Sequence, residues 1–190
     1  SGVADPEPVG SLLVHDELDT GVGWAIWPET AYGEVRGSAY HVTAPLAGMR
    51  VLVVSPHEAP PTGTLEIAAR QAYGPREAGY GLGWGDGPGG PYTVVAVNGN
   101  GYFAALHIDG ETVKELYPWQ LFPHVDGQGG INRLWVDFQG GQALLRINDE
   151  VAARFADPQA GPVRRTGFFI QTFNRGGSLA AFDRLRIWGD

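Results

Sequence analysis

The chain has 190 residues, a formal net charge of −8 and no cysteine. Its length suits a single core. The acidic balance argues against nucleic acid or an anionic membrane surface as partner, because phosphate affinity is built from clustered Lys and Arg, and the missing thiols exclude disulfide frameworks, thiolate metal sites and cysteine nucleophiles.

Residues 1–10, "SGVADPEPVG", have the composition of a linker or cloning junction, and residues 11–190 are expected to form one β-sandwich domain. Hydrophobic residues at 43% set the chain apart from disordered sequences, and 29 glycines with 14 prolines suit short strands joined by tight turns. No run approaches the roughly 18 apolar residues of a membrane-spanning helix. Strands are predicted at Ser11–His15, Gly33–Val42, Met49–Val54, Thr64–Gln71, Gly79–Trp84 and Tyr92–Asn98. The second half adds Gly101–Ile108, Thr112–Leu116, Asn132–Phe138, Gln142–Ile147, Gly167–Phe173 and Ala181–Trp188. The separators "SPHEAPPTG", "NGNG", "DG", "GQGG", "QGGQ", "NDE" and "NRGG" carry the residues that tight turns require. The best helical window, "TLEIAARQAY", alternates Leu65, Ile67 and Ala69 equally well as a strand. About a dozen short strands without a fixed repeat close most economically as a two-sheet sandwich or a barrel. In "NRLWVDF", period two sets Leu134, Val136 and Phe138 on one side and Arg133, Trp135 and Asp137 on the other.

The stretch "AGYGLGWGDGPGG" poses a sharper question. As a strand it puts Tyr80, Leu82 and Trp84 on one face and Gly79, Gly81, Gly83 and Gly85 on the other, and glycine weakens strand interiors. Either bulky neighbours lie against the bare face, or the bare face is a groove for a flat ligand such as a sugar ring. The first reading is favoured, since glycine is common in curved sheets. Gly85, Gly87 and Gly90 formally match a dinucleotide fingerprint. Pro91 and a β-rich run follow them, so the helix N-terminus that would meet phosphate is missing.

The order "AGYGLGW", "YTVVAVNGNGYFAALHI", "NRLWVDFQGGQALLRINDEVAARF", "RTGFFIQTF" and "AFDRLRIW" resembles the concanavalin A-like lectin and glucanase superfamily. Within it, the chain looks most like the laminin G-like and 3-keto-disaccharide hydrolase-like branch of bacterial exported proteins. The resemblance implies an all-β, antiparallel two-sheet jelly-roll sandwich with one concave sheet. It also implies a protein that binds or cleaves carbohydrate, or serves as an adhesive or sensory ectodomain. The E-x-D-x-x-E strand of laminarinase-type members is absent: Glu66 is followed by Ile67, Ala68 and Ala69, and Asp16, Glu17 and Asp19 in "HDELD" lack a strand frame. No catalytic residue is carried over.

Aromatic rings offer flat apolar faces to sugars together with a polar edge. Trp135 is the leading candidate, with Arg133 and Asp137 on its face. Trp119 lies between two prolines in an expected loop. Tyr92 and Trp84 flank the glycine loop, Tyr92 as a rim residue and Trp84, which shares a face with Leu82, more readily as core. Trp24 and Trp27, three apart, cannot share a face of a straight strand, so at least one anchors an irregular segment. Trp188 is expected to close the core. Asp126, Asp137 and Asp183 are candidates for hydrogen bonds to sugar hydroxyls. His15, His41, His57, His107 and His124 lack metal-ligand spacing, and no G-x-S-x-G turn supports a serine hydrolase. No cofactor is expected. Calcium at Asn148, Asp149 and Glu150 or near Asp86 is the one metal considered, with a plain hairpin turn the preferred reading of "NDE".

The expected function is a non-catalytic carbohydrate-binding or adhesive/sensory domain of an exported protein, extracellular or at the cell surface. Carbohydrate is the expected partner, with other domains of a longer chain as further contacts, and neither nucleic acid nor membrane insertion is expected. Two alternatives stand: a glycoside hydrolase-like enzyme whose carboxylates come from different strands, and a spacer making protein contacts only. Two carboxyl groups facing each other across the concave sheet at about 5–10 Å would favour the enzyme.

Overall fold

Period-two alternation is carried into fifteen strands of a computed structural model, which describes residues 5–161 and 164–190. In chain order they are β1 (Ser11–Asp16), β2 (Ala25–Trp27), β3 (Tyr32–Val35), β4 (Tyr40–Ala44) and β5 (Arg50–Ala59). Next come β6 (Gly63–Tyr73), β7 (Gly79–Gly85), β8 (Tyr92–Asn98), β9 (Tyr102–Asp109) and β10 (Thr112–Leu121). The last five are β11 (Asn132–Gln139), β12 (Gln142–Ile147), β13 (Glu150–Ala156), β14 (Arg164–Gln171) and β15 (Ser178–Gly189). They form two antiparallel sheets. Sheet A runs β13-β12-β11-β6-β15-β4-β3 with β1 also paired to β15, and sheet B runs β10-β9-β8-β7-β14-β5-β2. No helix forms among the described residues, and the fold is an antiparallel two-sheet jelly-roll sandwich.

Local chemistry explains where the expected strands change. The single strand expected over 33–42 is a hairpin, because Gly37 and Ser38 take φ values of 59° and 62° and close a two-residue turn between β3 and β4. Asn148 and Asp149, at 51° and 74°, do the same between β12 and β13. "NDE" is therefore a turn, with the Asn148 side chain accepting from the Arg133 backbone N–H and the Asp149 carboxylate paired to the Arg133 guanidinium. β13 and the three-residue β2 were not among the expected strands. The alanine-rich "EVAARFA" carries little of the β-branched signal that marks strands.

Between the sheets lies one apolar core. Phe168 of β14 stacks on Phe182 of β15 with ring centroids 4.1 Å apart, and Trp84 of β7 meets Phe138 of β11 edge-on at 5.0 Å. Full burial of each such side chain contributes about 2 kcal/mol. One ion pair is sealed at the edge of this core. The Arg164 guanidinium donates to Asp157 at 2.7 Å and lies 4.0 Å from the Phe138 ring centroid, while the Trp84 indole N–H donates to the same carboxylate at 3.0 Å. Burial draws the Arg164 pKa down, against the opposing charge and hydrogen bond of Asp157.

Candidate functional site

The outer face of sheet B is apolar. Leu52 and Val54 of β5, Tyr92, Val94 and Ala96 of β8, Leu106 of β9 and Phe169 of β14 form a buried cluster separate from the main core. On a flat sheet these side chains would face water. They are covered because the sheet is coiled until two diagonal corners meet. Arg50, at the start of β5, donates to the Gly110 carbonyl at 3.2 Å and lies 3.7 Å from Glu111. That turn belongs to β9 and β10, and β9 stands four strands from β5. On an uncoiled sheet that separation is about 19 Å, beyond the reach of one side chain.

The glycine face of β7 is the floor of this coiled cleft, and neighbours fill it. A Cβ on Gly79 would come within 2.7 Å of the Trp119 ring, and one on Gly83 would meet Leu52 and Val94 at 3.3 Å. The bare strip is therefore packing space for bulky side chains and not an open groove.

At the mouth of the cleft a hollow of about 390 Å³ remains, within the range of small-ligand pockets. Trp27, Arg50, Tyr92, Glu111 and the loop Pro88–Gly90 line it. Trp27 is 52% exposed, whereas Tyr92 is 7% exposed and presents only part of its ring. Trp27 pairs with Leu52 across β2 and β5, which puts its ring on the concave side. Burial pushes the Tyr92 phenol pKa up, opposed by the Arg50 charge. The phenol is thus a neutral hydrogen-bonding group at physiological pH. The hollow combines an aromatic platform, a guanidinium braced by a turn, a phenol and a carboxylate. Glu111 is the only carboxylate among its described lining residues, so no carboxylate pair faces across it.

The outer face of sheet A has the opposite character. Glu66 of β6 has no exposed side-chain surface, and three arginines converge on it: Arg133 at 2.5 Å, Arg184 at 2.8 Å and Arg186 at 2.6 Å. Burial alone would raise the Glu66 pKa, but the hydrogen bond from Arg186 and the charges of Arg133 and Arg184 outweigh it and hold the pKa low. Beside this cluster Trp135 donates its indole N–H to Asp137 at 2.8 Å, and Thr64 donates to the same oxygen at 2.7 Å. Thr64 in turn accepts from the Val9 backbone N–H, which ties the segment before β1 onto this face.

The sequence-predicted residues end in four places. Arg133, Trp135 and Asp137 do share one outer face, but the expectation of a free Trp135 ring is corrected. The ring is 2% exposed, packed against Trp188 at 5.3 Å and beneath the Arg133 guanidinium at 4.8 Å. Trp188 accordingly lies on that outer face and does not close the core. Trp119 is in strand β10 and not in a loop; its ring covers Gly79 and meets Phe173 edge-on. Trp84, 1% exposed, is a core residue unable to touch a ligand. Tyr92 stands at the hollow.

Sequence reasoning did not single out Arg50, Glu111 or Glu66, and it did not choose Trp27 over Trp24. Trp24 stacks on Phe168 at 4.7 Å, leaving Trp27 as the outward member of the pair. The three-residue spacing and the following Pro28 were the available signal. Arg50 and the Gly110 turn lie 60 residues apart and leave no linear motif.

No family model and no curated protein matches the chain. Solved structures do match. A GlcNAcα1-4Gal-releasing endo-β-galactosidase from Clostridium perfringens superposes with a TM-score of 0.70 at 8% identity, over 99% of this chain and 64% of that one. The catalytic domain of an endo-1,3-β-glucanase (laminarinase) from Thermotoga petrophila gives 0.66 at 11%, over 95% and 98%. The carbohydrate-binding module CBM66 from Bacillus subtilis gives 0.65 at 13%, over 85% and 92%. At these identities the likeness is one of fold, the concanavalin A-like sandwich common to glycanases and carbohydrate-binding modules.

Proposed function

We propose that this chain is a non-catalytic carbohydrate-binding domain of an exported protein, and that the hollow at the mouth of the sheet B cleft is its sugar site. The observation that carries this reading is the half-exposed Trp27 ring beside Tyr92, Arg50 and Glu111. A sugar ring stacks its C–H face on the indole, while its hydroxyls meet the guanidinium, phenol and carboxylate. The lone carboxylate speaks for binding over hydrolysis, since both retaining and inverting glycoside cleavage use two. The carbohydrate-active fold neighbours agree with a saccharide ligand.

The test is a glycan array followed by calorimetric titration of the best neutral ligand against wild type and Trp27→Ala. Loss of one stacking ring is expected to weaken binding about tenfold or more. Chain cleavage in the same mixtures is expected to be absent. An array without a hit, or equal affinity for both proteins, would remove the site.

A further inference from the structure

On the outer face of sheet A, next to the Glu66 cluster, lies a second hollow of about 520 Å³. Its position follows from register. Arg133, Ala68 and Arg184 stand in one row across β11, β6 and β15, and Arg70, Ala181 and His41 stand in a neighbouring row across β6, β15 and β4. The small alanine side chains lower the surface there, and Arg36, Arg70, His41, Asp183 and Ile131 form walls around Ala181.

Charge on this face runs against the acidic whole. Seven of the chain's twelve arginines lie on it: Arg36 and Arg70 at the hollow, and Arg133, Arg146, Arg154, Arg184 and Arg186 elsewhere on the face. Glu66 holds three guanidiniums and Asp149 shares only Arg133, so two carboxylates fix three cations in place without fully neutralising them. Arg70 and Arg146 have no carboxylate within 4.0 Å among the described residues, and the buried Nε of Arg146 and Nδ1 of His41 have no hydrogen-bond partner there. Arg36 meets only the exposed Glu34, at 3.8 Å. Such pairs in water contribute little and exchange readily.

We infer that this hollow binds an acidic saccharide, one carrying a carboxylate or sulfate ester, with its anionic group on Arg36 and Arg70 and its hydroxyls on Asp183 and His41. Guanidiniums recognise planar carboxylates and sulfate oxygens in fork geometry. No Phe, Tyr or Trp lines the hollow among the described residues, so a neutral sugar would lack a broad stacking platform there, whereas a charged sugar would be held by ionic hydrogen bonds. Asp183 offers an acceptor for the hydroxyls of a saccharide, which a simple anion lacks. The inference rests on the carbohydrate reading above and adds a second site with its own ligand class.

The experiment titrates the full chain with three probes: an oligogalacturonate for the carboxylate arm, a sulfated galactan oligosaccharide for the sulfate arm, and the neutral ligand found for the Trp27 site. Proteins are wild type, Trp27→Ala, Arg36→Glu/Arg70→Glu and, without reversed charge, Arg36→Gln/Arg70→Gln. At least one acidic arm is expected to bind wild type and Trp27→Ala alike and to weaken tenfold or more in both arginine variants, and the neutral ligand shows the converse pattern. Retained neutral binding certifies that the arginine variants are folded. Absence of acidic binding, its persistence in the arginine variants, or equal competition by a single-stranded oligonucleotide of matched charge overturns the inference. Neutral binding surviving any of these results leaves the Trp27 site standing, while its loss in wild type removes that reading separately.

Discussion

Asp157 and Glu66 are the two buried carboxylates that anchor guanidiniums, Asp157 a buried one and Glu66 three partly exposed ones. Asp157 accepts from Arg164, from the Trp84 indole and from the Gln159 backbone. Asp157→Ala would leave a buried guanidinium unpaired and an indole N–H orphaned, and a loss of about 3–5 kcal/mol in urea unfolding is expected. Glu66 predicts the acid limb of the stability curve. Its folded pKa is held below that of the unfolded carboxyl, about 4.3. The unfolded state therefore binds more protons in that window, so the contribution is present above about pH 4 and lost as pH falls through the folded value. Denaturation series between pH 3 and pH 6 check this: wild type is expected to lose stability on acidification more steeply than Glu66→Gln, which starts lower because Arg184 and Arg186 have lost their counter-charge and Arg133 keeps only Asp149. Trp135 shows what a single residue's context hides. Alternation put it correctly opposite Leu134, but its ring partner Trp188 arrives from more than 50 positions downstream, and only the pairing of β15 with β6 reveals that its ring is covered.

Strand β7 is the element whose sequence was most telling. Alternating glycines marked one face for close approach, and Trp119, Leu52 and Val94 occupy it. Gly79→Val is expected to push the Trp119 ring away, destabilising the protein by about 1–3 kcal/mol and shifting tryptophan fluorescence toward that of exposed indole. The same periodicity made most strands legible, β8 and β12 to the residue, because their apolar faces meet the core without interruption. It failed where length or chemistry weakened the signal. β2 has three residues, β13 is rich in alanine, and the two-residue turn at Gly37 and Ser38 sits inside what reads as continuous strand. β10 extends through Pro118 to Leu121, past the expected end at Leu116, because it is an edge strand interrupted by bulges and a proline there removes no ladder bond.

At the scale of the molecule the two outer faces have been given different chemistry. Sheet B coils on itself and shelters its apolar side chains under the Arg50 corner; sheet A lies under an arginine layer organised by Glu66. Neither arrangement was readable from composition, because coiling and cross-strand pairing bring together residues with no sequence proximity. Of the predicted site residues Tyr92 stands at the sheet B hollow and Asp183 at the sheet A hollow, and Trp27, Arg50 and Glu111 join Tyr92 only through tertiary closure.

Pro118 and the bulges of β10 also bear on how copies of this domain meet one another. A second chain aligning along that margin would find a missing donor and a broken rhythm of carbonyls, features that blunt an edge against strand addition. At the opposite margin of the same sheet β2 offers only three residues of rail. Neither margin of that sheet therefore presents a long regular rail for strand addition.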